Sequence, residues 1–163
     1  MRWPLVGLMV AATVASDLLQ SHQMKRAGAQ SVGAGGLWNI MDEAHISTIA
    51  AHPEFRGRGY GEIVLAGMIR RAMRLDAEYV VLEVRVSNYV AQSLYQKYGF
   101  QTVMTKPKYY HSDNEDAYEM RLNLDHRYYR TRFEERFARL IERHDLTDQY
   151  TAADPPRRLG TGS

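Results

Sequence analysis

The chain has 163 residues, 45% hydrophobic and 25% charged, with a formal net charge of +2. That length suffices for one domain with its own core, and the near-balanced charge argues against a nucleic-acid partner held by a broad basic surface. Cysteine is absent and the six histidines form no H-x-x-x-H helical pair, which excludes disulfides, cysteine nucleophiles and thiolate sites and leaves no metal centre to expect.

Met1-Arg2-Trp3 precedes an apolar run over residues 4–15 that ends Val14-Ala15-Ser16. A basic residue, a short apolar run and small residues at its end are features of a signal peptide. The run is too short to cross a bilayer as a helix, and Pro4 and Gly7 interrupt it. The expectation is a buried strand or helix in a cytoplasmic protein with no membrane partner. Residues 1–31 form an atypical N-terminal segment, polar around 21–25 and punctuated by Gly28. Gly33, Gly35 and Gly36 continue that punctuation.

Residues 37–41 read as a strand, Asp42-Glu43 as a turn, and 44–51 as the second strand of a hairpin. His52-Pro53-Glu54-Phe55 is turn-like. Arg56-Gly57-Arg58-Gly59-Tyr60-Gly61 then opens a helical pattern that runs to about Arg74. Three glycines in six residues allow close approach of backbone to a ligand. At a helix start the free N–H groups and the dipole favour an anion, and arginine forks suit phosphate. The stretch is therefore either a pyrophosphate cradle or a surface turn with glycines for geometry and arginines for solubility. It lacks the Gly-Lys-Ser/Thr ending of a P-loop and the G-x-G-x-x-G spacing of a dinucleotide site.

Downstream, Leu65, Met68, Ile69 and Ala72 recur at helical spacing. Residues 79–86 have the composition of a buried strand. Ser87 or Asn88 caps a helix that carries Ala91, Leu94, Tyr95 and Tyr98 on one face and stops at Gly99. Residues 100–105 and 117–124 read as strands joined by a polar loop over 106–116 that holds Tyr109-Tyr110. Residues 125–145 form an amphipathic helix with a stripe of Tyr129, Phe133, Phe137, Leu140, Ile141 and His144. That stripe caps the domain or meets a second copy in a homodimer. Residues 146–163, with Pro155-Pro156 and few apolar side chains, read as a disordered tail.

This order predicts an α/β (α+β) fold. It has a mixed, mostly antiparallel sheet with a central parallel strand pair, a right-handed crossover, flanking helices and an extra C-terminal helix. Within it, Glu83 interrupts an apolar strand. It is either ion-paired, for example with Arg85 on the same face, or a general base whose pKa an apolar setting raises. Tyr95 is either a core tyrosine or a general acid beside a leaving group.

Arg56, Gly59 and Gly61 fill an R-x-x-G-x-G pattern that resembles the acyl-CoA pyrophosphate loop of the GNAT N-acetyltransferases. Ala44-His45-Ile46-Ser47-Thr48-Ile49-Ala50 before the loop, Leu82-Glu83-Val84-Arg85-Val86-Ser87-Asn88 after it, and then Ala91, Leu94-Tyr95 and Gly99-Phe100 add to this. Together they are similar to the Rim-type ribosomal-protein-alanine N-acetyltransferases, as are Tyr109-Tyr110 and Glu115-Asp116-Ala117. The resemblance covers about 32–122, within a domain over 32–124. It implies that acetyl-CoA is held by Arg56, Gly57, Arg58, Gly59, Tyr60 and Gly61, by the strand edge Ile49-Ala50-Ala51, and by Asn88. It implies Glu83 as general base, Tyr95 as general acid, and Tyr109 and Tyr110 on the acceptor side. The acceptor it implies is the N-terminal amine of a protein, with a ribosomal protein expected. The alternatives are a small amine, a lysine side chain, or a silent CoA-binding module. The family's usual opening strand and two helices are not matched by 1–31.

Overall fold

The computed structural model describes residues 33–40, 42–51, 56–124, 127–146, 148 and 151. The expectations placed on 1–31, on the turn 52–55 and on the tail over 152–163 lie outside these residues. The elements follow one another as β1 (Gly33–Ile40), β2 (Glu43–Ala51), α1 (Tyr60–Arg74), β3 (Tyr79–Arg85), α2 (Tyr89–Lys97), β4 (Gln101–Tyr110), β5 (Glu115–Asn123) and α3 (Arg127–Arg143). The strands form one sheet in the order β1-β2-β3-β5-β4. The β2–β3 pair is parallel and every other pair is antiparallel, the mixed sheet the sequence predicts.

Two strands are longer than their composition suggests. β1 begins at Gly33, because Gly33 to Gly36 pair with Ala51 to Thr48 and the register shifts only between Gly36 and Leu37. Glycine is a poor strand former, but ladder pairing with a neighbour overrides propensity. Most of the loop expected over 106–116 is also strand. β4 continues to Tyr110, and the turn occupies 111–114. β4 is an outer strand, where a proline such as Pro107 breaks no inner ladder. The register shifts between Lys106 and Tyr110, Lys108 takes φ 50°, and its N–H donates to Asp116 Oδ1 at 2.8 Å. The chain absorbs the proline as a bulge.

Strand alternation sends Ala44, Ile46, Val80, Leu82, Val84, Met120 and Leu122 to one face, where they pack with α1 in a single core. α1 is buried from Ile63 through Ile69, as a helix covered on several sides must be. α3 closes the core with Phe133, Phe137 and Leu140, so its stripe is spent on its own domain. Arg70 of α1 fixes it there. Its guanidinium pairs with Glu134 at 2.9 Å and Asp148 at 2.7 Å, donates to Thr151 Oγ1 at 3.1 Å, and lies 4.6 Å from the centre of the Phe137 ring. Asp148 and Thr151 belong to the segment read as a polar tail, yet Thr151 is fully buried. α2 starts as expected, with Asn88 Oδ1 accepting from the Ala91 N–H at 3.1 Å, and Gly99 follows it at φ 94°.

Candidate active site

β2 and β3 pair only from Glu43–Tyr79 to Ile46–Leu82. Past that point β2 continues to Ala51 with β1 on its other side, and β3 continues to Arg85 with β5 on its other side. The facing edges part, and their backbone N–H and C=O groups leave the ladder. A cavity of about 230 Å3 opens in the wedge, with Ser47, Ile49, Glu83, Asn88, Tyr95 and Tyr110 on its walls. Five residues singled out in the sequence (Ile49, Glu83, Asn88, Tyr95 and Tyr110) thus meet at one place.

Glu83 is ion-paired, but not with Arg85. Its Oε2 lies 2.6 Å from His45 Nε2 on β2, and its Oε1 accepts from Lys106 Nζ on β4 at 2.6 Å. Lys106 also reaches Glu119 Oε2 at 2.8 Å. Arg85 turns away to Asp113 and Glu115. Cross-strand neighbours stand closer than residues two apart on one strand, so the pairing crosses strands. The apolar neighbours Leu82 and Val84 face the core on the opposite side of the sheet. Burial pushes the Glu83 carboxyl up, but hydrogen bonds and charge from Lys106 and His45 outweigh it and hold the group below its ordinary value. The raised pKa expected from the apolar setting is therefore corrected to a depressed one. Burial lowers Lys106, and Glu119 and Glu83 more than reverse this.

Tyr95 is 8% exposed, and burial, with a smaller contribution from Tyr110, pushes its pKa up to about 12. Its ring sits 5.8 Å from Phe100, while its hydroxyl has no hydrogen-bond partner among the described residues. Tyr110 lies beneath the Arg85 guanidinium, 3.9 Å from its ring centre. Tyr109 stands edge-on to Tyr110 at 5.2 Å, with Lys106 Nζ 5.4 Å from its own ring. Burial and the nearby Glu83 charge raise Tyr109. Asn88 spends Oδ1 on its cap, which leaves its amide group for the wedge.

The glycine stretch lies where β2 feeds α1. Gly57 and Gly59 take φ 74° and 86°, and Gly59 is the N-cap of α1 with no side-chain cap. First-turn N–H groups of such a helix have no intrahelical acceptor. Arg56, Gly57 and Arg58 are exposed. A Cβ at Gly57 or Gly61 would meet nothing within 4 Å, whereas one at Gly59 would stand 3.0 Å from Cε1 and Nε2 of His144. His144, just past α3, also lies 5.9 Å from the Tyr60 ring and stands against the glycine turn. Its place in the apolar stripe of the sequence signals burial but says nothing of this location. The roles of His45 and Lys106 are likewise hidden in the sequence, being 38 and 23 residues from Glu83.

A parallel pair that parts beside an uncapped, glycine-led helix is the frame of a GNAT-type acyltransferase. Residues 20–100 match the model of the acetyltransferase (GNAT) family, and the chain belongs to that family. It is 40% identical over 93 residues to a Bacillus subtilis (strain 168) protein provisionally named ribosomal protein bS18-alanine N-acetyltransferase; the match covers 57% of this chain and 62% of that one. Among solved structures it resembles Ard1 from Thermoplasma volcanium (30% identity, TM-score 0.57, covering 61% of this chain and 67% of that one). It also resembles the ribosomal-protein-S18-alanine N-acetyltransferase from Escherichia coli (29% identity, TM-score 0.56, covering 61% and 65%). The chain thus spans less than two thirds of the length of its Bacillus relative. No helix among the described residues is long and apolar enough to cross a membrane.

Proposed function

We propose that the protein is a cytoplasmic acetyl-CoA-dependent N-acetyltransferase acting on the N-terminal amine of a protein, with a ribosomal protein as acceptor. The observation that carries this is the wedge, where Glu83 and Tyr95 line one cavity between the parted strands. The names of the relatives support the acceptor class.

The residues fit the cofactor. The open space beside Gly57 and Gly61 leaves room for a pyrophosphate on the first-turn N–H groups of α1. The free edge of Ile49-Ala50-Ala51 offers backbone groups to an extended amide-bearing arm, as in strand addition. Arg56 and Arg58 add positive charge, and Asn88 and Tyr60 flank the path. When bound, acetyl-CoA supplies an acetyl thioester with a thiolate as leaving group.

Glu83, its carboxyl held below its ordinary value, is ionised at neutral pH and holds His45 by Nε2 at 2.6 Å. An α-ammonium has a pKa of about 7.7–8.0, so its proton needs only a modest base, the role Glu83 takes from the cavity wall. Lys106 fixes the second carboxylate oxygen. Tyr95, with a pKa near 12, stays protonated and delivers its hydroxyl proton to the departing sulfur. Tyr109 and Tyr110 bound the acceptor side.

The test is transfer of labelled acetyl from acetyl-CoA to a peptide with a free N-terminal alanine. The same peptide, blocked at its N-terminus and carrying a lysine, is the comparison. Transfer to the first alone is expected; transfer to the lysine alone contradicts the reading. Gly61→Glu gives a clean probe of the cradle, since it places a carboxylate where phosphate must sit without a steric clash. It should abolish the rise in Tm on adding acetyl-CoA. A substitution at Gly59 would instead strain the backbone and strike His144.

A further inference from the structure

A larger cavity of about 610 Å3 lies away from the wedge, between the end of α2 and a flank of α3. Its walls include Arg132, Arg136 and Arg139 against one carboxylate, Glu135, with Tyr128 beside them and Lys97, whose ammonium is paired with Glu62, at the edge. Along α3, Arg132, Arg136, Arg139 and Arg143 recur at spacings of four, three and four, so they stand in a row on one flank. At 1.5 Å per residue the row is about 16 Å long. Glu134 falls on the other flank, tied to Arg70. A net charge of +2 conceals this segregation.

The row is built rather than merely solvated. Arg136 donates Nη1 to the Lys97 carbonyl at 2.8 Å and lies 4.9 Å from the Tyr98 ring centre. Arg132 lies 5.4 Å from the Tyr128 ring centre and donates to its hydroxyl at 3.3 Å. Arg132 and Arg139 are exposed and have no ion-pair partner among the described residues. Tyr128 is 71% exposed, and among the described residues its ring contact is with the Arg132 guanidinium.

We propose that this groove binds single-stranded RNA. Arginine forks at helical-turn spacing match a series of phosphates, and an exposed tyrosine gives a base a surface to stack on. An acidic peptide would use the arginines and leave Tyr128 idle. A bilayer would need apolar side chains that this charged flank does not present. The choice of RNA over DNA rests on the proposed ribosomal acceptor; the affinity for a single strand does not.

The test is fluorescence anisotropy of the full chain with a labelled single-stranded RNA of about 10 nucleotides. Binding should weaken steeply with salt. Arg132→Glu with Arg139→Glu should weaken it at least tenfold and flatten the logarithmic salt slope by about 1.4, at roughly 0.7 per lost phosphate contact. Tyr128→Ala should weaken it about fivefold or more. Acetyl transfer to a short free peptide should be unchanged in all of these variants. If the charge reversals fail to fold, the glutamine pair at the same positions replaces them. No RNA binding, or binding that survives the substitutions, overturns the proposal. So does tighter binding of polyglutamate or anionic vesicles, lost in the same variants. Equal binding of DNA overturns the choice of RNA. Absent acetyl transfer in the unmodified chain would refute the proposed function and leave the RNA result standing.

Discussion

Glu62, Lys97 and Tyr98 form one carboxylate–cation–phenol cluster, and Glu83, Lys106 and Tyr95 supply the same three groups at the wedge. In the first, Glu62 accepts from Lys97 Nζ at 2.7 Å and from the Tyr98 hydroxyl at 2.9 Å. Burial pushes Glu62 up, and Lys97 and Tyr98 more than reverse it. Tyr98 is 2% exposed, and its hydroxyl proton is committed. In the second, Glu83 is depressed by Lys106 and by His45 rather than by a phenol, and the Tyr95 hydroxyl is uncommitted and faces a cavity. A polar cluster whose donors are all satisfied rigidifies a fold. One that keeps a buried acid unspent beside open space is equipped to move a proton. Composition and pKa direction do not separate the two; the parting of β2 from β3 does.

The largest effect should follow Glu83→Gln. Acetyl transfer should fall roughly 10²–10⁴-fold, the usual worth of a positioned acid or base, with partial recovery above about pH 8, where the acceptor amine is free. Lys106 keeps Glu119 as a partner, so Tm should fall by no more than it does in Glu62→Gln. A collapse in Tm with turnover per folded molecule intact would place Glu83 with Glu62 as a structural pair.

Arg70→Ala tests the opposite face. It takes the counter-charge from Asp148, whose side chain is 9% exposed and keeps only the Thr151 N–H and hydroxyl as donors, and should cost about 2 kcal/mol, a fall in Tm of roughly 4–8 °C for a chain of this size. Turnover per folded molecule should hold. Glu62→Gln should cost about 1 kcal/mol, since Lys97 is half exposed, again without loss of turnover. Either result reversed would dissolve the division between the two regions.

The smallest effect is on pH dependence. Both carboxylates have folded pKa values below the ordinary 4.5. Their stabilisation is therefore fully present above the unfolded pKa and fades as pH falls through the folded one. Thermal melts below about pH 4.5 should show this loss, and Glu62→Gln should flatten it. An unchanged acid limb in that variant would mean the Glu62 pairing adds nothing to stability.

Most of the fold was legible because strands and helices announce themselves by period: alternation over Tyr118, Met120 and Leu122, helical recurrence over Leu65, Met68, Ile69 and Ala72. The glycines of β1 and Pro107 in β4 were misread where pairing in the sheet overrode local preference. Of the site, the glycine turn, Glu83, Tyr95 and Asn88 were visible as residue types in an ordered series. What surrounds them was not. His45 and Lys106 reach Glu83 through strand register, and register is a property of the sheet, so even the direction of the Glu83 pKa was inverted. His144 meets Gly59 only because α3 folds back across α1, a contact with no local signature.

The central claim is that Tyr95 and Tyr98, one helical turn apart, divide chemistry from structure. It is tested most directly by measuring acetyl transfer and Tm on the same samples of Tyr95→Phe and Tyr98→Phe. Tyr95→Phe should lose about 10²-fold in turnover with acetyl-CoA affinity and Tm nearly intact. Tyr98→Phe should lose about 1 kcal/mol of stability and keep its rate. Wild-type turnover in Tyr95→Phe, or a rate loss in Tyr98→Phe equal to that in Tyr95→Phe, would contradict the account.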